Sequence, residues 1–303
     1  MAAGGAEPQR AILYALGANL AIALAKTGAV VVTGSSSLLA EAIHSYADTG
    51  NQLLLLLGLR RSRRPPDLEH PLGYGKVTYF WSFIVALLLF SVGGLFSIYE
   101  GWHKLEDGAP IAHLWIAVAV LALSVVLELA SLRGCLAEVA QERGARSLWR
   151  WANETRSAEL VVVFAEDLAA VLGLSLALVF VLVSAVTGDP IWDAAGSLAI
   201  GSLLVAVALF VAYRIKALLI GRSADPEIVA VLEREIESDP AIRELLHALT
   251  VQVGPQVMLA AKLRMREDLS IGEACEAVNV LERSLKRAVP QVGWCFMEPD
   301  VRD

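Results

Sequence analysis

Within the stretch EAIHSYADTGNQ, His44 and Asp48 are the residues equipped for chemistry. They lie four positions apart, so on a helix they share one face. A carboxylate beside a neutral imidazole is a good pair of ligands for a divalent transition metal. Both groups also titrate, so protons compete with a metal for them. The stretch lies between two strongly apolar segments. An ionisable side chain inside a membrane is costly and by default marks an ion pathway or a proton relay. The plainer alternative is that the two side chains hydrogen-bond each other and lock helices together.

A second acidic element is FAEDLAAVLG, with Glu166 and Asp167 side by side. Neighbours on a helix point about 100° apart, so one of the two faces the axis toward His44 and Asp48. Ala170 is near both, and Gly173, seven after Glu166, slightly favours the Glu166 face for close helix approach; spacing leaves the choice open. Asn19 and Lys26 share one face of an apolar segment, where Lys26 could pair with a carboxylate or reach toward the surface. Glu128 is a partner for Lys26 or Arg133. Asp193 opens the last apolar run, where a helix dipole favours a carboxylate. Asp67 and His70, in the exposed Gly-rich loop DLEHPLGYGK, form a further metal-binding pair. His103, His113 and His247 are isolated. No HExxH motif and no nucleophile–base pair occurs, so an intramembrane metalloenzyme is not expected.

These residues need a membrane to position them. The 303-residue chain is 56% hydrophobic, with a mean hydropathy of +0.58. That exceeds the apolar share of ordinary soluble proteins, about 45–50%. Net charge is −7, which gives no basic excess to attract nucleic acid. Six membrane spans are expected at roughly 11–33, 36–59, 78–101, 111–133, 157–187 and 190–220. The first is too long for a cleaved signal peptide and is read as an uncleaved span. Loops after the second and fourth spans carry Arg60, Arg61, Arg63, Arg64 and Lys76, then Arg143, Arg146, Arg150 and Arg156; the alternate loops are nearly free of base. The positive-inside rule then places both termini in the cytoplasm. Cys135, Cys275 and Cys295 form no CxxC pair and fit a reducing compartment.

From Asp225 the composition becomes that of a soluble domain. The stretch from Ser223 to Leu246 shows helical periodicity. HALTVQVG and QVMLAAKLRM alternate as two strands joined at Gly254-Pro255, LSIGEACEAVNVLERSLKRAV is a helix capped by Ser270, and VGWCFMEP is a third strand. The expected architecture is a six-helix transmembrane domain over 1–222. A cytoplasmic α+β domain of α-β-β-α-β order, ferredoxin-like, follows over 223–303 with its helices on one face of the sheet.

Taken together, TGSSSLLAEAIHSYADTGNQ, DLEHPLGYGK, DPIWDAAGSLAIG and FMEP resemble the cation diffusion facilitator family over nearly the whole chain. The resemblance implies export of zinc or a related divalent metal from the cytoplasm in exchange for protons. It also implies a homodimer whose C-terminal domains meet, and no resident cofactor. It assigns His44 and Asp48 to the transport site and prefers Asp167 over Glu166 as the fifth-helix ligand. The family's other fifth-helix position falls on Val163, which cannot bind metal, so the site has three protein ligands and water or takes Glu166 as a fourth. That loss makes Mn2+ or Fe2+ an alternative cargo. In the loop, Asp67 and His70 match the family's second site, but Tyr74 stands where a second His is often found. The Glu-Asp pair is similar to that of one branch with mitochondrial and bacterial members; a bacterial inner membrane is the expected location. The rival class is a non-transporting membrane scaffold or metal-sensing regulator.

Overall fold

The computed structural model describes residues 8–33, 36–107, 114–189 and 191–302. The chain divides into two compact units.

The first unit is helical. It contains α1 (Pro8–Thr33), α2 (Ser36–Ser62) up to Arg61, α3 (Val77–Leu88), a π-helical segment (Leu89–Leu95) and α4 (Phe96–Asp107). It continues with α5 (Leu114–Arg143), α6 (Leu148–Glu154), α7 (Ala158–Thr187) and α8 (Ile191–Ile220). Among the described residues five helical stretches are long and apolar enough to cross a membrane: Gln9–Gly28, Val77–Leu105, Val118–Arg143, Ala158–Thr187 and Ile191–Ile220. The expected second span coincides with α2, which is not among the five. Its described part carries Asp48, Thr49, Asn51 and Gln52 and ends in Arg60 and Arg61.

Helices α1, α5 and α7 pack on one another. α5 runs ten residues beyond the expected end at 133, because its buried stripe continues through Ser131, Cys135, Glu138 and Val139. The stripe keeps the spacing of a single helix face. After α5, the chain turns through Gly144 (φ 55°). Arg146 donates to the last carbonyls of α5, Nε to Arg143 O at 3.2 Å and Nη2 to Glu142 O at 3.1 Å. The short helix α6 follows, held by the fully buried Trp151, whose Nε1 donates to Glu142 Oε1 at 3.1 Å. Arg214 of α8 donates to the Ala152 carbonyl at 3.0 Å.

The rod from α3 through the π segment to α4 packs against α8 by glycine contacts. A Cβ on Gly94 would come within 2.7 Å of Val205, and one on Gly201 within 2.8 Å of the Ile98 backbone nitrogen. Small residues at such crossings let two backbones approach closely. Leu89, Ala169, Leu204 and Ala208 form the core where the π segment, α7 and α8 meet.

The second unit comprises Ser62–Val77, Glu154–Ser157 and Ala217–Asp303. Asp225 caps α9 (Pro226–Glu237), accepting from Glu227 N at 3.0 Å, and Pro226 occupies the first turn. The strands β1 (Ile242–Val253) and β2 (Gln256–Met265) are antiparallel, and β3 (Val292–Pro299) runs parallel to β2, giving the order β1-β2-β3. Residues 242–246 belong to β1 and not to the preceding helix, as their periodicity had implied. Ser238, Asp239 and Pro240 end α9, since proline disfavours helix at the residue before it. Helix α10 (Ile271–Ala288) starts with a full capping box between Ser270 and Glu273. Leu232, Ile236, Leu259, Leu263, Leu281 and Leu285 make the core between both helices and one sheet face. At the hairpin turn Gly254 takes φ 62°, and a Cβ there would lie 2.5 Å from Gly75 Cα. The loop between α2 and α3 thus rests directly on the tip of the hairpin.

Candidate transport site

Four helices of the first unit supply the site. The two carboxylates of α7 point to different neighbours, as a 100° step requires. Glu166 meets α2: Asn51 Nδ2 donates to Oε1 at 3.2 Å and Gln52 Nε2 donates to Oε2 at 2.8 Å. Asp167 meets α5: Ser131 Oγ donates to Oδ2 at 3.0 Å, and the residue is only 1% exposed. These hydrogen bonds orient the two carboxyl groups toward different helices.

Asp48 of α2 interacts electrostatically with Glu166 and also with Glu128 of α5. Glu128 is itself buried and feels the charges of Asp167 and Lys26. Lys26 of α1 is buried, and its Nζ donates to Ser45 Oγ at 2.9 Å, next in sequence to His44. Arg133 is exposed while Glu128 is buried, so Lys26 is the base associated with Glu128. Asn19 is buried on the α1 face that carries Lys26. His44 belongs to α2, but its side chain lies outside the described residues. Among the described residues no three His, Cys, Asp or Glu groups gather as a metal cluster. What links α1, α2, α5 and α7 is electrostatic coupling, of Glu128 with Asp48, Asp167 and Lys26 and of Glu166 with Asp48 and Asp167.

A cavity of about 410 Å³ lies between α2 and the α3–π rod. Asp48 and Asn51 form part of one wall; Leu88, Leu89, Val92 and Gly93 form the other. The cavity is where α2 faces the π segment, a helix irregularity that recurs at functional sites. Asp48 thus borders this cavity on one side and couples to Glu166 of α7 on the other. Val163 is fully buried in apolar packing on α7.

The loop pair belongs to the second unit. Asp67 Oδ1 accepts from the backbone of Glu69 at 3.1 Å and of His70 at 2.7 Å, and Oδ2 accepts from Tyr74 Oη at 2.6 Å. His70 Nδ1 lies 3.5 Å from Asp67 Oδ1, and its ring packs on Tyr74 at 4.3 Å. The Tyr74 hydroxyl first, then the His70 backbone N–H, hold the Asp67 carboxyl below its ordinary range. Asp67 here ties a turn. Asp193 forms an ion pair with Lys104 at 3.1 Å.

Asn51 and Gln52 are site residues that sequence reasoning passed over. Their signal was two adjacent amides, seven and eight positions after His44, at the edge of an apolar run. Ser45 and Ser131 carried no comparable signal, since isolated serines are common in membrane helices.

Residues 12–220 match the family described as the cation efflux transmembrane domain. The chain is 38% identical over 278 residues to the Xenopus laevis protein named proton-coupled zinc antiporter SLC30A9, mitochondrial, covering 91% of this chain and 49% of that one. It is 32% identical over 284 residues to metal tolerance protein C4 of Arabidopsis thaliana, covering 91% and 60%. The magnetosome protein MamB of Paramagnetospirillum magneticum is 23% identical over 282 residues, covering 93% of this chain and 90% of MamB. The chain spans about half the length of the zinc antiporters it matches.

Proposed function

The chain belongs to the cation efflux family, and from that premise we propose that it carries a divalent transition metal, zinc first, across a membrane in exchange for protons. The observation that carries the reading is the junction of α2 with α7, where Asn51 and Gln52 hold Glu166 within the field of Asp48. Ionised acids confined together repel, and either a divalent cation or protons relieve the repulsion. Exchange follows from that competition. Metal binds His44, Asp48, Asp167 and Glu166 with the ligands deprotonated; protons on the other side weaken the same ligands and release it. Glu128 and Lys26 flank the ligands as a proton-coupling pair, with Asn19 on the same face as Lys26. The supply of access to each side in turn is assigned to motion of the α3–π–α4 rod and α8 against the remaining helices, with α2 as the sixth span.

The second unit is proposed to be cytoplasmic, with both termini on that side, and to hold two copies of the chain together. A bacterial inner membrane is the proposed location. Mn2+ or Fe2+ is the alternative cargo, because Val163 removes one ligand from the fifth-span pair. Asp67 and His70 are kept as a second metal pair only if metal displaces Tyr74 from Asp67.

The test is uptake of Zn2+, Mn2+, Fe2+, Co2+ and Cd2+ in turn into proteoliposomes holding a pH gradient, comparing wild type with Asp48→Ala. Gradient-driven uptake of at least one ion, lost in the variant, is expected. Folded, dimeric wild-type protein that moves none of them would replace the antiporter by a scaffold or sensor.

A further inference from the structure

Gln52 is 1% exposed, and its Nε2 donates to Glu166 Oε2 at 2.8 Å. That bond fixes the orientation of the amide and leaves Oε1 as its free end. Among the described residues Oε1 has no hydrogen-bond partner, although it is fully buried. A buried acceptor without a partner costs about 1–3 kcal/mol, and natural structures leave few of them unexplained. A donor could satisfy Oε1; so could a cation.

The neighbourhood favours the cation. At 100° per residue, His44, Asp48 and Gln52 fall within about 80° of arc on α2. Gln52 and Asp48 both meet Glu166, one by a hydrogen bond and one electrostatically. On α7, the fully buried Val163 offers no ligand to this group. A neutral, buried oxygen is therefore left on the amide that holds Glu166, next to an acidic group where one more ligand is wanted.

We propose that Gln52 Oε1 is a direct ligand of the transported cation and a determinant of which cation is carried. The proposal rests on the transport reading given above. An amide oxygen is a hard, uncharged donor; it suits Mn2+ better than Cd2+, whereas sulfur donors reverse the order. Gln52 keeps the site open to harder ions, while His44 keeps it open to zinc.

The test compares wild type, Gln52→Met, Gln52→Glu and Asn51→Ala in the full-length protein. Two quantities are measured for Mn2+, Zn2+ and Cd2+: kcat/KM in proteoliposomes, and equilibrium binding by calorimetry on the detergent-solubilised protein. Gln52→Met places a thioether where the amide oxygen was. It is expected to raise the preference for Cd2+ over Mn2+ by about tenfold or more in both measurements. Gln52→Glu keeps an oxygen there and is expected to retain Mn2+ binding. Asn51→Ala removes the other donor to Glu166 and is expected to leave the Cd2+/Mn2+ ratio within about twofold of wild type.

An unchanged ratio in Gln52→Met overturns the proposal. So does an equal shift in Asn51→Ala, which would mean that Gln52 acts only by holding Glu166. Absence of wild-type flux would sink the transport reading instead, and the binding ratios would then decide the role of Gln52 alone.

Discussion

Glu166 and Asp167 are neighbours in the chain, yet one is tied to α2 by two amides and the other to α5 by one hydroxyl. The difference makes their substitutions separable. Glu166→Gln removes a charge at the α2–α7 junction, and Asp167→Asn removes one at the α5–α7 junction. Each is expected to lower metal uptake by at least about tenfold, roughly the worth of one charged ligand contact. Ser131→Ala leaves both charges in place and loosens only Asp167. It is expected to raise KM by about tenfold or less at nearly unchanged kcat, read from initial rates across a metal series. In the loop, Tyr74 is the main cause of the lowered Asp67 pKa. A depressed carboxylate contributes stability that is complete above its unfolded value, about 3.9, and is lost as pH falls through the folded value. Tyr74→Phe is therefore expected to move the Asp67 titration upward, toward 3.9, as followed by NMR of the carboxyl carbon. At this scale the charged candidates His44, Asp48, Glu128 and the Glu166-Asp167 pair were legible because charge is rare in the apolar sequence around them. Asn51, Gln52 and Ser131 were not, because uncharged polar side chains inside helices carry little cost that would mark them out.

The helices were legible from hydropathy, and their interruptions were not. The π segment Leu89–Leu95 reads as apolar sequence, set apart from α3 and α4 only by the adjacent Gly93 and Gly94. Its position follows from tertiary packing against α8, where Gly94, Gly101 and Gly201 bring the backbones together. The same holds for α6, which hydropathy reads as a basic loop and which a single buried tryptophan turns into a packed helix. β1 began earlier than its alternation implied because Ile242 and Leu245 pack against the soluble core, a reason invisible without β2. The glycine crossing is directly testable. Gly201→Ala places a methyl 2.8 Å from the Ile98 nitrogen and 2.9 Å from the Gly94 carbonyl, both backbone atoms that cannot rotate away. Forced apart in this way, the rod and α8 are expected to lose about 1–3 kcal/mol of packing. A lowered midpoint of thermal unfolding in detergent checks it, with Gly28→Ala, which meets no atom within 4 Å among the described residues and is expected not to lower the midpoint, as the control.

For the molecule as a whole, the family and the fold class were readable from sequence, because long apolar helices come first and a small three-stranded mixed sheet with amphipathic helices follows, each with its own periodicity. The α2 helix was the hard case. Its polar stretch around Asp48, Thr49, Asn51 and Gln52 sets it apart, and it is not among the five candidate spans found in the described residues. The central claim is exchange: metal and protons compete for one group of carboxylates across α2 and α7, of which Asp48 and Glu166 are half-buried and Asp167 is buried. The most direct measurement is lumenal pH in proteoliposomes containing a trapped pH indicator, after an inward zinc gradient is imposed with no initial pH gradient. Inward zinc must drive protons out, so the account predicts an alkaline shift in the lumen that is lost in Asp48→Ala. Zinc entry with no change in lumenal pH, or an alkaline shift that survives Asp48→Ala, would contradict it.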